Sequence, residues 1–339
     1  MHNRTRQAVS GEELSEAVSD GFGQCTAVLA TRELTDGMFN AVWLLELDRV
    51  GAVVLKVAPP PDMPLLTYEH HIMRTEALFL QLAANTAPIP ALHHAGFDRI
   101  RIGRDFLVTS ALRGTSWHRA RKELTGPVRR RLRHELGQLV AGLRRIHGPA
   151  FGYPQPETGL HGNRWAEVFL TMLDAVLADA ERFEVSVPVP PGHVRELAAA
   201  QIPALDEVIT RTLVHFDLWE GNIVLDTGSA GPRIEGLVDA ERAFWGDPHA
   251  DFVSLALFDD IEKDAAFVAG YQEAVGQVDF TPRLRRRLTL YQAYLYLIMI
   301  VEAVPRGYAG PRHLVTQRFC RHKLKDALPT LALATGADR

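Results

Sequence analysis

His215-Phe216-Asp217-Leu218-Trp219-Glu220-Gly221-Asn222, followed by Asp239 at the end of the apolar run Ile234-Glu235-Gly236-Leu237-Val238, decides how this chain is read. The spacing is His-x-Asp-x4-Asn, with Asp239 seventeen residues beyond Asn222. A carboxylate at Asp217 can accept the proton of a hydroxyl. Asn222, a neutral oxygen ligand, and Asp239, an anionic one, suit Mg²⁺, a hard cation that prefers oxygen. Phosphoryl transfer needs this kit: an oriented hydroxyl, and cations that neutralise the phosphates. A hairpin between Asn222 and Asp239 would bring both ligands to one end of a small sheet. An isolated His-x-Asp would only brace a strand end, and His215 itself fits that bracing role better than proton transfer. The four residues together point to chemistry.

Upstream, Lys56 sits inside the apolar strand Val53-Val54-Leu55-Lys56-Val57, where an unpartnered ammonium is costly. Its bland alternative is a strand-end lysine reaching for water. Glu69 and Glu76 lie seven residues apart on a helix expected over 66–84, two turns that share one face. Either could pair with Lys56, leaving the ammonium to hold phosphates. Glu76 is preferred because the helix continues apolar behind it, but the sequence does not decide. Asp36-Gly37-Met38-Phe39-Asn40 occupies the turn where a phosphate-cradling loop belongs, with Gly37 as its one glycine.

The elements fall into two groups. Strands over 39–47 and 52–57, a helix over 66–84 and a strand over 106–109 make a small β-rich N-terminal part. After residue 115 helices dominate, at roughly 126–147, 163–183, 191–200, 248–258, 260–275 and 281–304. One β-rich island interrupts them (213–215, 223–225, 234–238). The expected division is a small β-rich lobe over 1–109, a short connector at 110–114 and a larger, mainly helical lobe over 115–339. Clefts between two such lobes commonly hold ligands. Gly246-Asp247-Pro248 reads as a helix start with Asp247 as cap, and Asp247 and Asp251 are expected to support the catalytic loops.

Composition narrows the class. With 339 residues, 47% hydrophobic and 23% charged, the chain is globular. A net charge of −4 gives no footprint for nucleic acid. The longest apolar stretch, Tyr291 to Val304, is interrupted by Gln292 and Glu302 and is too short to span a bilayer. Two cysteines, Cys25 and Cys320, and no apolar run behind the first seven residues fit a cytoplasmic protein. Arginine runs such as Arg285-Arg286-Arg287 read as solvated helix faces.

These residues resemble the aminoglycoside phosphotransferase family, with its choline kinase and fructosamine kinase relatives. The resemblance covers about residues 30–260. It rests on His215-x-Asp217-x4-Asn222 and Val238-Asp239, and less on Lys56, Glu76 and Gly246-Asp247-Pro248. It implies a two-lobed, protein-kinase-like α+β fold, Asp217 as catalytic base, and Asn222 and Asp239 on Mg²⁺. It also implies ATP (GTP in some relatives) and a small-molecule hydroxyl as acceptor. Phe106 to Gly114 looks like the family's hinge, which implies adenine contacts from backbone near Ser110 and Leu112.

The chain departs from protein kinases in having no G-x-G-x-x-G loop and in carrying Asp239-Ala240-Glu241 for Asp-Phe-Gly. Gly246 follows Asp239 by only seven residues, which leaves no room for an activation segment and argues against protein substrates. Leu218-Trp219 is similar to the fructosamine kinases. The acceptor expected is an antibiotic, of aminoglycoside-like, nucleoside or peptide type, with resistance as the outcome. A metabolic kinase of an amino sugar, fructosamine or amino alcohol is the alternative. A nucleotide-binding pseudokinase is a third reading, which intact Lys56, Asp217, Asn222 and Asp239 argue against. The expected assembly is a monomer or homodimer.

Overall fold

The alternation that singles out Lys56 is that of a strand with two unlike faces. The computed structural model describes residues 7–35, 37–229 and 231–333, so Asp36 and the first six residues lie outside it. In chain order the first elements are α1 (Gly11–Phe22), β1 (Val28–Glu33), β2 (Ala41–Leu47), β3 (Gly51–Val57), α2 (Ile72–Ala83), β4 (Leu92–Gly96) and β5 (Phe106–Ser110). The strands form one antiparallel sheet in the order β1-β2-β3-β5-β4. Val53, Leu55 and Val57 pack with Leu45, Phe106 and Val108, and with Leu14, Ala17 and Val18 of α1, into a core of their own. Lys56 leaves the opposite face, toward α2.

The expected helix over 66–84 is interrupted. Thr67–Glu69 is a 3-10 turn, His71 takes a left-handed conformation (φ 59°), and α2 begins at Ile72. Glu69 and Glu76 therefore do not share a helix face. They go to different partners.

The rest of the chain holds β6 (Thr115–Ser116), α3 (Trp117–Ala120), α4 (Gly126–Leu143), β7 (Phe151–Gly152), β8 (His161–Gly162), α5 (Trp165–Arg182), α6 (Pro191–Ala199) and α7 (Ile202–Leu205). Then come β9 (Thr212–Val214), β10 (Ile223–Asp226), β11 (Arg233–Leu237), β12 (Phe244–Gly246), α8 (Asp251–Leu255), α9 (Ala265–Val275), α10 (Pro282–Val301) and α11 (Pro311–Leu333). The expected β island divides between two sheets. One is β11-β10-β6, the other β8-β7-β12-β9. Gly114 enters β6 with φ 103°, and a Cβ there would run into the Leu225 carbonyl of β10. Around α5 and α10 the aromatic rings of Trp165, Phe169, Tyr291 and Tyr294 are buried edge to face.

The result is an α+β molecule with a sheet lobe and a helical lobe, the kinase-like architecture expected. Among the described residues no helix is long and apolar enough to cross a membrane. The arginine run on α10 is not uniformly solvated. Arg285 is exposed and paired with Glu262, but Arg287 is buried and donates to Asp247 at 2.8 Å.

Candidate active site

The loop after β9 turns sharply because it is held from below. The amides of His215 and Phe216 donate to the Asp251 carboxylate at 3.1 and 2.7 Å, and the Leu218 amide donates to Ser254 Oγ at 2.9 Å. Both acceptors come from α8. Phe216 is thereby fixed in the left-handed region (φ 62°), a strained state for a bulky side chain that such over-determination sustains. Burial pushes the Asp251 carboxyl up to about 7, against the pull of the two amides. Burial would raise Asp247, but His249 at 2.9 Å and the Arg287 guanidinium outweigh it and hold the carboxyl below its usual range, and the Tyr291 hydroxyl donates to it at 3.0 Å.

His215 Nε2 faces the Val238 carbonyl at 3.1 Å, and the Asp217 amide donates to its Nδ1 at 3.3 Å. This network assigns the proton to Nε2. Burial pushes the ring down to about 4, so it stays neutral at physiological pH. A neutral ring ties the loop to the residue before Asp239.

The Asp217 side chain is held more loosely. Asn222 Nδ2 donates to its backbone oxygen at 2.9 Å and to Oδ2 at 3.2 Å, and the Arg242 guanidinium lies 3.8 Å from Oδ1. Burial raises Asp217 to about 6; Arg242 opposes the rise, while Asp239, Glu241 and Glu302 add to it. A carboxylate lifted in this way is a stronger base near neutral pH than an exposed one. The amide of Asn222 cannot itself titrate, so it orients the Asp217 carboxylate without competing for a proton.

On the other side of the cleft, Lys56 meets three carboxylates. Its Nζ lies 2.6 Å from Glu76 Oε2 and 3.2 Å from Glu241 Oε2, and it also pairs with Asp239 Oδ1. Burial disfavours its charge, but Asp239, Glu76 and Glu241 together hold the ammonium well above its ordinary value. Burial pushes Glu76 up to about 7 and raises Glu241 too. Asp239 is the exception: Lys56 overcomes burial and holds it below the usual range. One ammonium against three carboxylates leaves the cluster short of positive charge. Ligand oxygens of Glu76, Asp239 and Glu241 lie within 4.8 Å of one another with the Lys56 ammonium among them, and the Asp239 side chain, 36% exposed, is the carboxylate of the three left to face a divalent cation such as Mg²⁺.

Glu76 is thus the partner of Lys56, and Glu69 pairs instead with Arg306. Asn222 and Asp239 are brought together by the β10–β11 hairpin, whose Val238 amide donates to the Asn222 carbonyl at 3.0 Å. Glu241 escaped the sequence reading. The signal was a second carboxylate two residues past Asp239; the 3-10 turn Ala240–Arg242 swings it back to Lys56, and Asn40 Nδ2 donates to it at 2.6 Å.

Gly37 lies exposed in the β1–β2 connection, and a Cβ there would meet only Val42 and Asn40 at ordinary contact distance. Its surroundings do not require glycine. The Ser110 amide donates to the Ala91 carbonyl at 2.9 Å, so an adenine contact at this point must use other backbone groups. The Leu112 side chain packs on Gly236 of β11. The acidic stretch 259–264 is largely engaged: Asp260 and Asp264 cap the segments they precede, Asp264 also binds Arg133, and Glu262 binds Arg285.

Residues 30–290 match the model of the phosphotransferase enzyme family. The chain belongs to that family. Its members are ATP-dependent kinases, and this phosphotransferase carries the same reaction class, with an alcohol group as acceptor. No curated protein matches its sequence. Among solved structures it is similar to a thermostable mutant of the aminoglycoside phosphotransferase APH(4)-Ia in complex with ADP and hygromycin B. That pair shares 14% identity over 98% of this chain and 100% of the other, at a TM-score of 0.61. A candidate fructosamine-3-kinase from Thermobifida fusca YX-ER1 aligns at 20% identity over 96% and 100%, with a TM-score of 0.65. The gentamicin complex of APH(2")-IIa aligns at 17% identity over 96% and 97%, with a TM-score of 0.59. At these identities the likeness speaks to the phosphotransferase fold.

Proposed function

We propose that this phosphotransferase moves the γ-phosphoryl group of Mg·ATP to a hydroxyl of a small molecule, with an antibiotic as the acceptor class. The observation that carries the reading is the pairing of an elevated carboxylate at Asp217, oriented by Asn222, with the charge-deficient cluster around Lys56. Asp217 takes the acceptor proton. Lys56, held by Glu76, contacts the nucleotide phosphates, and Asn222 and Asp239 hold Mg²⁺, whose chemistry is to neutralise phosphate charge. Residues 110–114 serve as the hinge between the lobe ending at 109 and the acceptor lobe from 115 onward. The enzyme works in the cytoplasm, where its nucleotide is.

Two features favour small acceptors. Between Asp239 and Gly246 the chain makes one 3-10 turn and enters β12, with no segment on which a peptide could lie. The relatives in solved structures carry hygromycin B and gentamicin. A second reading, a kinase of fructosamines or amino sugars, is supported by Leu218-Trp219, which resembles the fructosamine kinases; the half-buried Trp219 ring rests on Gly221 and meets His118 edge to face. Mass spectrometry of aminoglycosides, nucleoside and peptide antibiotics, amino sugars, fructosamines and choline-like alcohols, each incubated with the protein, ATP and Mg²⁺, tests both. One phosphoryl group gained by an antibiotic supports the first reading, and one gained by a fructosamine or amino sugar supports the second. No gain across the panel, with ATP still bound, would return the pseudokinase reading.

A further inference from the structure

The turn after α10 joins three parts of the cleft. Glu302 caps α10, and its carboxylate accepts from Arg242 at 2.8 Å and pairs with Arg306 at 3.2 Å. Arg242 in turn faces Asp217. The other end of the Arg306 fork binds Glu69, in the 3-10 turn just ahead of α2, which carries Glu76. The guanidinium also stacks 4.3 Å over the Phe39 ring, and it donates to the Tyr308 hydroxyl at 3.0 Å. Tyr308 donates onward to the Met38 carbonyl at 3.3 Å. Arg306 and Glu69 are 3% and 1% exposed, so these contacts are made away from water.

Phe39 and Met38 belong to the β1–β2 loop, whose next residue, Asn40, touches Glu241 in the Lys56 cluster. One side chain therefore fixes both the β1–β2 loop and the lead-in to α2, whose Glu76 pairs with Lys56. We propose that Arg306, with Tyr308, is a positioning residue that holds the β1–β2 loop closed over the nucleotide phosphates. This rests on the nucleotide site proposed above. Arg306 touches no reacting atom and acts through Phe39, Met38 and Glu69. A planar fork that stacks on one group while bonding two carboxylates is a task lysine does not match.

The experiment compares Mg·ATP with adenosine, which carries no phosphates, by calorimetry on the full chain. Glu69→Gln/Arg306→Gln removes the buried pair without changing net charge, and Tyr308→Phe removes only the hydroxyl. The double variant should weaken Mg·ATP binding about tenfold, the worth of a desolvated cation–π contact, and leave adenosine affinity unchanged. Tyr308→Phe should weaken Mg·ATP about threefold, again sparing adenosine. Unchanged Mg·ATP affinity, or equal losses for both ligands, overturns the proposal. If the double variant does not fold, Tyr308→Phe decides by the same criterion. A wild-type protein that binds Mg·ATP more tightly than adenosine, with both variants keeping that gain, removes this proposal alone, whereas a wild type that gains nothing from the phosphates, or binds neither ligand, removes the nucleotide site and this proposal together.

Discussion

At the scale of single residues, the base and the ammonium make opposite demands on pH. Asp217 is lifted to about 6 by burial, so it is half protonated there. Turnover should fall about tenfold per pH unit below that midpoint, and Asp217→Asn should abolish the dependence while lowering kcat roughly 10²–10⁴-fold. A pH–rate profile that stays flat between 5 and 7 would remove Asp217 from the role. Lys56→Met leaves Glu76, Asp239 and Glu241 without their cation and should destabilise the fold by about 3–5 kcal/mol, the usual cost of breaking a buried pair. The loss should be larger at pH 8 than at pH 6, because the raised carboxyls take up protons at the lower pH; urea melts at both values test this. Asp217, Asn222, Asp239 and Lys56 drew attention because phosphoryl chemistry restricts residue types at fixed spacings, and the fold brings Asn222 onto Asp217 and Lys56 onto Asp239. Arg306 did not. In sequence it is one arginine in an arginine-rich tail, and only folding brings it under Phe39.

Among the elements, those with a strong period were readable and those defined by an end or a kink were not. Apolar strands β2 and β3 and helices α5 and α10 declare themselves. The mostly exposed β1 has no inward stripe, and α1 announces itself only through the reciprocal cap of Ser10 and Glu13. α11 buries Cys320, Leu324, Leu328 and Leu331 at helical spacing, a stripe diluted by its basic neighbours. The break at His71, which separates Glu69 from Glu76, has no local signal. Two predictions belong here. Gly114→Ala places a Cβ at φ 103° against the Leu225 carbonyl, and should cost about 1–3 kcal/mol in urea melts with weaker adenosine binding. Asp251 is raised from its ordinary value to about 7 by burial, so its contribution to stability is full below about 4 and is lost as pH rises through about 7. Asp251→Asn should flatten that fall, and a stability–pH curve unchanged in the variant would count against it.

Across the whole molecule, the cleft is closed by contacts between residues far apart in sequence: Lys56 with Asp239, Asn40 with Glu241, Glu69 with Arg306 and Met38 with Tyr308. Ligand binding in the cleft should be felt as global stability. Mg·ATP at 100 times its Kd should add about 2.7 kcal/mol, and Asp239→Asn should erase most of that gain in thermal melts. A wild-type melting point indifferent to Mg·ATP would contradict the site.

The tie between Glu69 and Arg306 spans 237 residues, and that distance matters while the chain is being made. Glu76 finds Lys56 only 20 residues away in sequence. Glu69 has no cation to bury against until a segment 237 residues further on has been made. The nascent N-lobe can thus assemble its sheet and the α1 face early, but its cleft side must stay hydrated and open until the end of α10 arrives. On that order of synthesis, the buried contact that closes this side of the cleft forms only after Arg306 has been made.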